Sequence, residues 1–233
     1  MVAVAFAQPP DLVKRVASRE TENEAERAQY TYRQKVTIEE LDQRGMKAGE
    51  YREVRDVIFS PGKERLEEEV GKPYEGLRRL KLTDEDFRDL REVQPVLLTT
   101  EKLRWYGTKF RGEERIDGLD CWVLEIEPKQ ILDGQRLFEG MLWVDKSDYS
   151  IVRTAGQAVP QHFGTKTENL FPRFTTIRRK VAGGLWLPVY TYADDTLPFH
   201  NGPLRMRMKI EYSNYKRFGS ESTIQFMTEK PAK

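Results

Sequence analysis

Residues 137–155 read LFEGMLWVDKSDYSIVRTA. This stretch decides the fold: two strand-forming runs, Leu137 to Asp145 and Tyr149 to Ala155, flank Lys146-Ser147-Asp148, whose residue types suit a tight hairpin turn. Working outward, the same punctuation recurs. Asp117-Gly118 joins a strand from Leu103 to Arg111 to one from Leu119 to Glu127, and Gly183-Gly184 joins Phe174–Val181 to Leu185–Tyr192. A last strand runs from Leu204 to Phe218. Toward the amino terminus, Tyr30, Tyr32, Val36 and Ile38 alternate with Thr31, Arg33, Lys35 and Thr37, the period of a half-buried strand. A second strand ends in Val57-Ile58-Phe59, and Ser60-Pro61-Gly62-Lys63 turns into a third that reaches Val70. About ten strands without βαβ alternation predict a mainly β (α+β) fold with a single strongly curved antiparallel sheet, a half-barrel.

Helical signals are few. Asp11 to Gln29 reads as a helix with Asp11 as N-cap and Leu12, Val13 and Val16 on one face; its polar second half, Glu20 to Arg27, predicts docking by one end only. Thr83 caps a second helix over Asp84 to Glu92, which Pro95 ends, and Val96 to Thr100 reads equally as a helical turn or as extended chain. These helices are expected to cover the concave face. Val2 to Ala7 closes in Ala5-Phe6-Ala7, the A-x-A pattern of a secretory cleavage site, so residues 1–8 read as the tail of a signal peptide or as a frayed apolar end. Residues 9–219 form the expected half-barrel domain and 220–233 a strand end and tail.

Charge excludes some functions. The 39 Lys+Arg and 38 Asp+Glu cancel to a net charge of +1 and are interspersed, which gives no footprint for nucleic acid. The single cysteine, Cys121, forms no intrachain disulfide and reads as a small buried side chain. His162 and His200 lack metal-ligand spacing, so no metal or other cofactor is expected. Asp194-Asp195 reads as a turn, because neighbours on a strand point to opposite faces and do not converge on a substrate. Arg178-Arg179-Lys180 reads as a short basic turn. Neither a phosphate-binding loop nor a G-x-S-x-G elbow is present, and a non-enzymatic role is expected.

The order of these pieces resembles the periplasmic outer-membrane lipoprotein-sorting (LolA/LolB-like) superfamily. The resemblance rests on the helix at 11–27 leading into Tyr30-Thr31-Tyr32-Arg33-Gln34-Lys35-Val36, and on Gly140 to Arg153, which looks like the family's G-x-x-W-x-D-x-x-x-x-x-I-x-x hairpin. Phe171-Pro172-Arg173-Phe174, Gly184-Leu185-Trp186-Leu187-Pro188 and Tyr192-Ala193-Asp194-Asp195 add to it. It implies a periplasmic half-barrel whose helix-lidded concave face accepts lipid or the acyl chains of lipoproteins. The resemblance also implies an arginine inside the cavity, and the sequence singles out none for that place. A protein-binding module of the same fold, recognising a peptide or a membrane-anchored regulator in envelope-stress sensing, is the alternative.

Aromatic residues recur through the strands and serve either as core or as cavity wall. Trp105, Phe110, Trp122, Trp143, Trp186 and Tyr32 are the expected ligand contacts, with Met141 as an adaptable apolar side chain beside them.

Overall fold

The computed structural model describes residues 8–59, 64–93, 95–163, 168–181 and 183–217. The signal-peptide remnant expected at Val2–Ala7, the turn at 60–63 and the tail at 220–233 lie outside the described residues.

One helix, α1 (Leu12–Arg27), leads into β1 (Tyr30–Leu41), β2 (Lys47–Phe59), β3 (Arg65–Glu69) and the short β4 (Tyr74–Glu75). A second, α2 (Asp84–Arg88), continues as a π-helical turn over Asp89–Val93, and a 3-10 turn over Lys102–Trp105 precedes β5. Seven strands then follow as an unbroken meander: β5 (Tyr106–Ile116), β6 (Leu119–Pro128), β7 (Leu137–Asp145), β8 (Ile151–Val159), β9 (Phe174–Lys180), β10 (Trp186–Leu197) and β11 (Leu204–Arg217). Together they make one eleven-stranded antiparallel sheet in the order β3-β2-β1-β11-β10-β9-β8-β7-β6-β5, with β4 beside β2. The sheet is therefore open, with β3 and β4 at one edge and β5 at the other. Register shifts at Phe110/Gly112, Trp143/Val144 and Pro188/Tyr190 mark bulges, and bulges sharpen the right-handed twist that curls so wide a sheet.

Alternation sets the concave face. Phe138, Leu142 and Val144 of β7, Leu124 and Ile126 of β6, and Met206, Met208 and Ile210 of β11 all join one buried core with Leu12 and Val16 of α1. Burying a leucine or isoleucine side chain completely stabilises a fold by about 1.5–3 kcal/mol, so this face dominates the free energy of folding. Gly140 and Gly156 stand opposite each other in the β7–β8 register. Their missing side chains leave the slot in which the Phe138 ring lies; a Cβ on Gly156 would meet its Cζ at 2.6 Å.

Because β3 and β5 lie at opposite edges, residues 70–105 must travel across the sheet. They do so over the concave face, where Leu90, Val93, Val96 and Leu98 enter the core. The start of this crossover is fixed by Glu40, buried on β1, whose carboxylate accepts the backbone N–H groups of Arg78 (2.8 Å), Arg79 (2.6 Å) and Leu80. Thr83 caps α2 with a full capping box, as its position before an acidic turn predicts.

Several expectations change in detail. Asp11 sits at the N-cap position of α1 with φ 54° and no capping hydrogen bond; its carboxylate instead pairs with Lys14 Nζ at 3.1 Å. The helix packs along its whole length rather than by one end, since Glu20, Asn23 and Arg27 are buried on the face of Leu12 and Val16. The β5 strand begins at Tyr106 instead of Leu103, and Tyr149 belongs to the turn before β8, at φ 62°. Asp194 and Asp195 form no turn: they lie inside β10. There Asp194 is paired with Arg205 (3.2 Å) and Arg207 (3.1 Å), while Asp195 accepts the N–H of Arg173 at 2.9 Å. Arg178-Arg179-Lys180 likewise ends β9, with Arg178 turned inward.

Candidate functional site

Between the crossover, the C-terminal half of α1 and the sheet lies a cavity of about 990 Å³. This is at the upper end of the roughly 300–1,000 Å³ typical of small-molecule sites. Its apolar wall is built from Val93, Val96 and Leu97 of the crossover, Trp105 of the 3-10 turn, Leu137 and Phe138 of β7, and Phe59 and Leu66 from β2 and β3. The α1 side contributes Thr21, Glu24, Ala25, Arg27 and Ala28. Tyr106 also lines it, and its hydroxyl accepts the N–H of Phe138 at 3.3 Å; burial pushes its phenol above the ordinary range.

Two buried arginines hold the crossover over the cavity. Arg136, just before β7, reaches the Asp89 carboxylate in the π-helical turn with Nε at 3.1 and 3.2 Å and with Nη2, and its Nη1 donates to the carbonyl of Pro160. Arg178 projects from β9 into the core. Its Nη1 donates to both Glu20 oxygens at 2.9 and 3.0 Å, and its Nη2 donates to the Val96 carbonyl at 2.6 Å. One guanidinium thus ties α1, the crossover and the sheet together. Glu20 can be buried in the polar half of α1 only because this cation meets it there.

Neither arginine was identified from the sequence as part of the cavity region. For Arg178 a signal existed: it continues the inward alternation of Phe174 and Thr176 on β9. Arg136 carried none, because it precedes its strand and its partner Asp89 lies 47 positions away.

The seven expected contacts are not brought together. Trp105 lines the cavity. Tyr32 and Trp122 are in the concave core but outside the cavity wall; the Tyr32 hydroxyl accepts from Arg27, and the Trp122 ring lies 5.1 Å from that of Tyr149. Phe110 is half-buried at the margin of the same core. Trp143 and Met141 alternate with Leu142 and so face the other side of β7, where Trp143 Nε1 donates to Glu114 at 2.7 Å. Trp143 and Trp186 join Ile116, Cys121 and Val152 in a separate small cluster, with Trp186 Nε1 donating to Asp148 at 3.0 Å. Burial pushes the Cys121 thiol up to about 11. His162 stands 3.6 Å from Glu85, and His200 uses its backbone N–H to reach Glu168. Among the described residues no group of three or more His, Cys, Asp or Glu side chains converges as a metal site would.

The site is thus an open sheet with a strapped-down crossover and, beneath it, a cavity lined by apolar and charged side chains. No family model and no curated protein sequence matches the chain. Among solved structures, a DUF1329-family protein from Desulfovibrio piger is 16% identical, covers 93% of this chain and 96% of its own, and has a TM-score of 0.44. A LolA-superfamily protein from Nitrosomonas europaea is 14% identical, with 92% and 95% covered and a TM-score of 0.38. The MucA/MucB complex structure from Pseudomonas aeruginosa matches at 13% identity, with 90% and 99% covered and a TM-score of 0.24. These similarities extend over nearly the whole chain, at 13–16% identity and with TM-scores of 0.24 to 0.44.

Proposed function

We propose that this protein binds lipid, or the acyl chains of a lipoprotein, reversibly and without bond chemistry, in the periplasm. The observation that carries the proposal is the 990 Å³ cavity roofed by the crossover and walled by Val93, Val96, Leu97, Trp105, Leu137 and Phe138. Affinity would come from apolar ligand surface removed from water, at roughly 25 cal/mol per Å². Trp105 is the one member of the expected aromatic set in this wall, and the proposed contacts move from Trp143 and Trp186 to the crossover and β7. The test is titration of the folded protein with N-phenyl-1-naphthylamine, an uncharged fluorophore that brightens in apolar surroundings, followed by displacement with a phospholipid. Saturable, displaceable fluorescence that weakens in Leu97→Asp is expected. A folded protein that never brightens the probe rejects the proposal.

A further inference from the structure

Among the described residues five cations line the cavity, and four of them are paired with a carboxylate, two with the same one. Arg65 lies 2.7 Å from Glu67, Arg91 4.0 Å from the same side chain, Lys102 3.5 Å from Glu24, and Arg136 is held by Asp89. Arg27 is the exception. It is 9% exposed, in the last turn of α1, and among the described residues its one side-chain hydrogen bond is from Nη2 to the Tyr32 hydroxyl at 3.3 Å. The nearest acid on its own buried face, Glu20, is already taken by Arg178.

A guanidinium stays charged at any working pH, and a buried charge is costly unless an opposite charge or several good acceptors meet it. The C-terminal end of α1 offers only partial negative charge, and one long hydrogen bond to a neutral phenol adds little. Among the described residues no carboxylate pairs with this guanidinium, which lines the cavity beside the paired charges and the apolar side chains of the crossover and β7. The exposed Glu92 on the crossover is solvated and does not reach Arg27 as an ion pair.

We infer that Arg27 is the counter-ion for the anionic headgroup of a long-chain amphiphile whose tail occupies the Val93–Phe138 side of the cavity. This deepens the acyl-binding reading and rests on it. A planar guanidinium without a carboxylate partner suits a carboxylate or phosphate, either of which can accept two parallel N–H bonds.

The test compares dodecanoate, 1-dodecanol and inorganic phosphate as displacers of N-phenyl-1-naphthylamine at fixed ionic strength and pH 8. Dodecanol has the same chain without the charge, and phosphate has the charge without the chain. Dodecanoate should displace the probe at a concentration at least about tenfold below dodecanol, a difference of 1.4 kcal/mol, and phosphate should displace nothing. Arg27→Met should abolish that preference while leaving dodecanol within about twofold, and Arg27→Lys should keep most of it. Equal displacement by the two amphiphiles in the wild type overturns the Arg27 assignment, as does a preference that persists in Arg27→Met. Displacement by phosphate alone assigns the site to a free anion instead. If Arg27→Met does not fold, the wild-type comparison and Arg27→Lys decide. Loss of all probe and amphiphile binding in the folded wild type is a separate outcome, which removes the acyl-binding reading itself.

Discussion

Replacing Arg178 by methionine should be among the most damaging single changes this protein can suffer. The side chain is 3% exposed and its partner Glu20 is 0% exposed. Methionine fills much of the same volume, so the loss is mainly electrostatic. Among the described residues Glu20 would be left as a buried carboxylate with only the Asn23 amide, at 3.2 Å, donating to it, and the Val96 carbonyl would lose its 2.6 Å donor. Breaking one side of a buried ion pair costs about 3–5 kcal/mol. For a chain of this size each kcal/mol moves the melting temperature by about 2–4 °C, so a drop on the order of 10 °C is expected. Urea unfolding followed by circular dichroism measures the free energy directly. The double change Glu20→Met with Arg178→Met should recover much of the loss, because an apolar pair of similar volume removes the stranded charge. A single variant within about 1 kcal/mol of the wild type, or a double variant as unstable as the sum of its parts, would refute the claim that the pair is held as a dry ion pair.

Three further outcomes are expected. Thr83→Ala removes the capping box of α2 and the acceptor for Asn169 Nδ2 at 3.1 Å, and should cost about 1–2 kcal/mol in a urea titration. Gly156→Val, which forces a side chain against the Glu139 backbone and the Phe138 ring, should destabilise by about 1–3 kcal/mol or more and lower the yield of folded protein; an unchanged urea midpoint contradicts the slot between β7 and β8. Cys121 should resist iodoacetamide in the native state at pH 8 and react fully in urea. Its folded pKa lies above the ordinary value of 9.0, so the native state disfavours the thiolate, and its contribution to stability is complete below pH 9 and fades as pH rises toward 11.

Strand number and direction were readable because alternation and turn residues are local signals. The Asp117-Gly118 turn has both residues at positive φ, the geometry its sequence predicts. Thr83 was readable for the same reason. What failed depended on distant partners. The polar half of α1 looked undockable because nothing near Glu20 in sequence announces Arg178, 158 positions away. Which side chains line the cavity was not legible, because aromatic size does not reveal which face a strand presents once bulges shift its register. Trp143 and Trp186 are large and regularly placed, yet they pack in the separate cluster, while the modest Val93, Val96 and Leu97 of the crossover form the roof.

The strand order also governs how the protein can assemble. In the middle of the sheet β1 lies against β11, so that Thr31 meets Lys216, 185 positions later. Sheets dominated by such remote pairings fold slowly, since the loop entropy must be overcome before the contact forms. A chain emerging at about 5–20 residues per second would hold the β1 hairpin edge open for on the order of ten seconds before its partner exists. Throughout that interval an unpaired, half-apolar strand is available to any other chain, and a holding chaperone during synthesis would protect this protein more than most of its size.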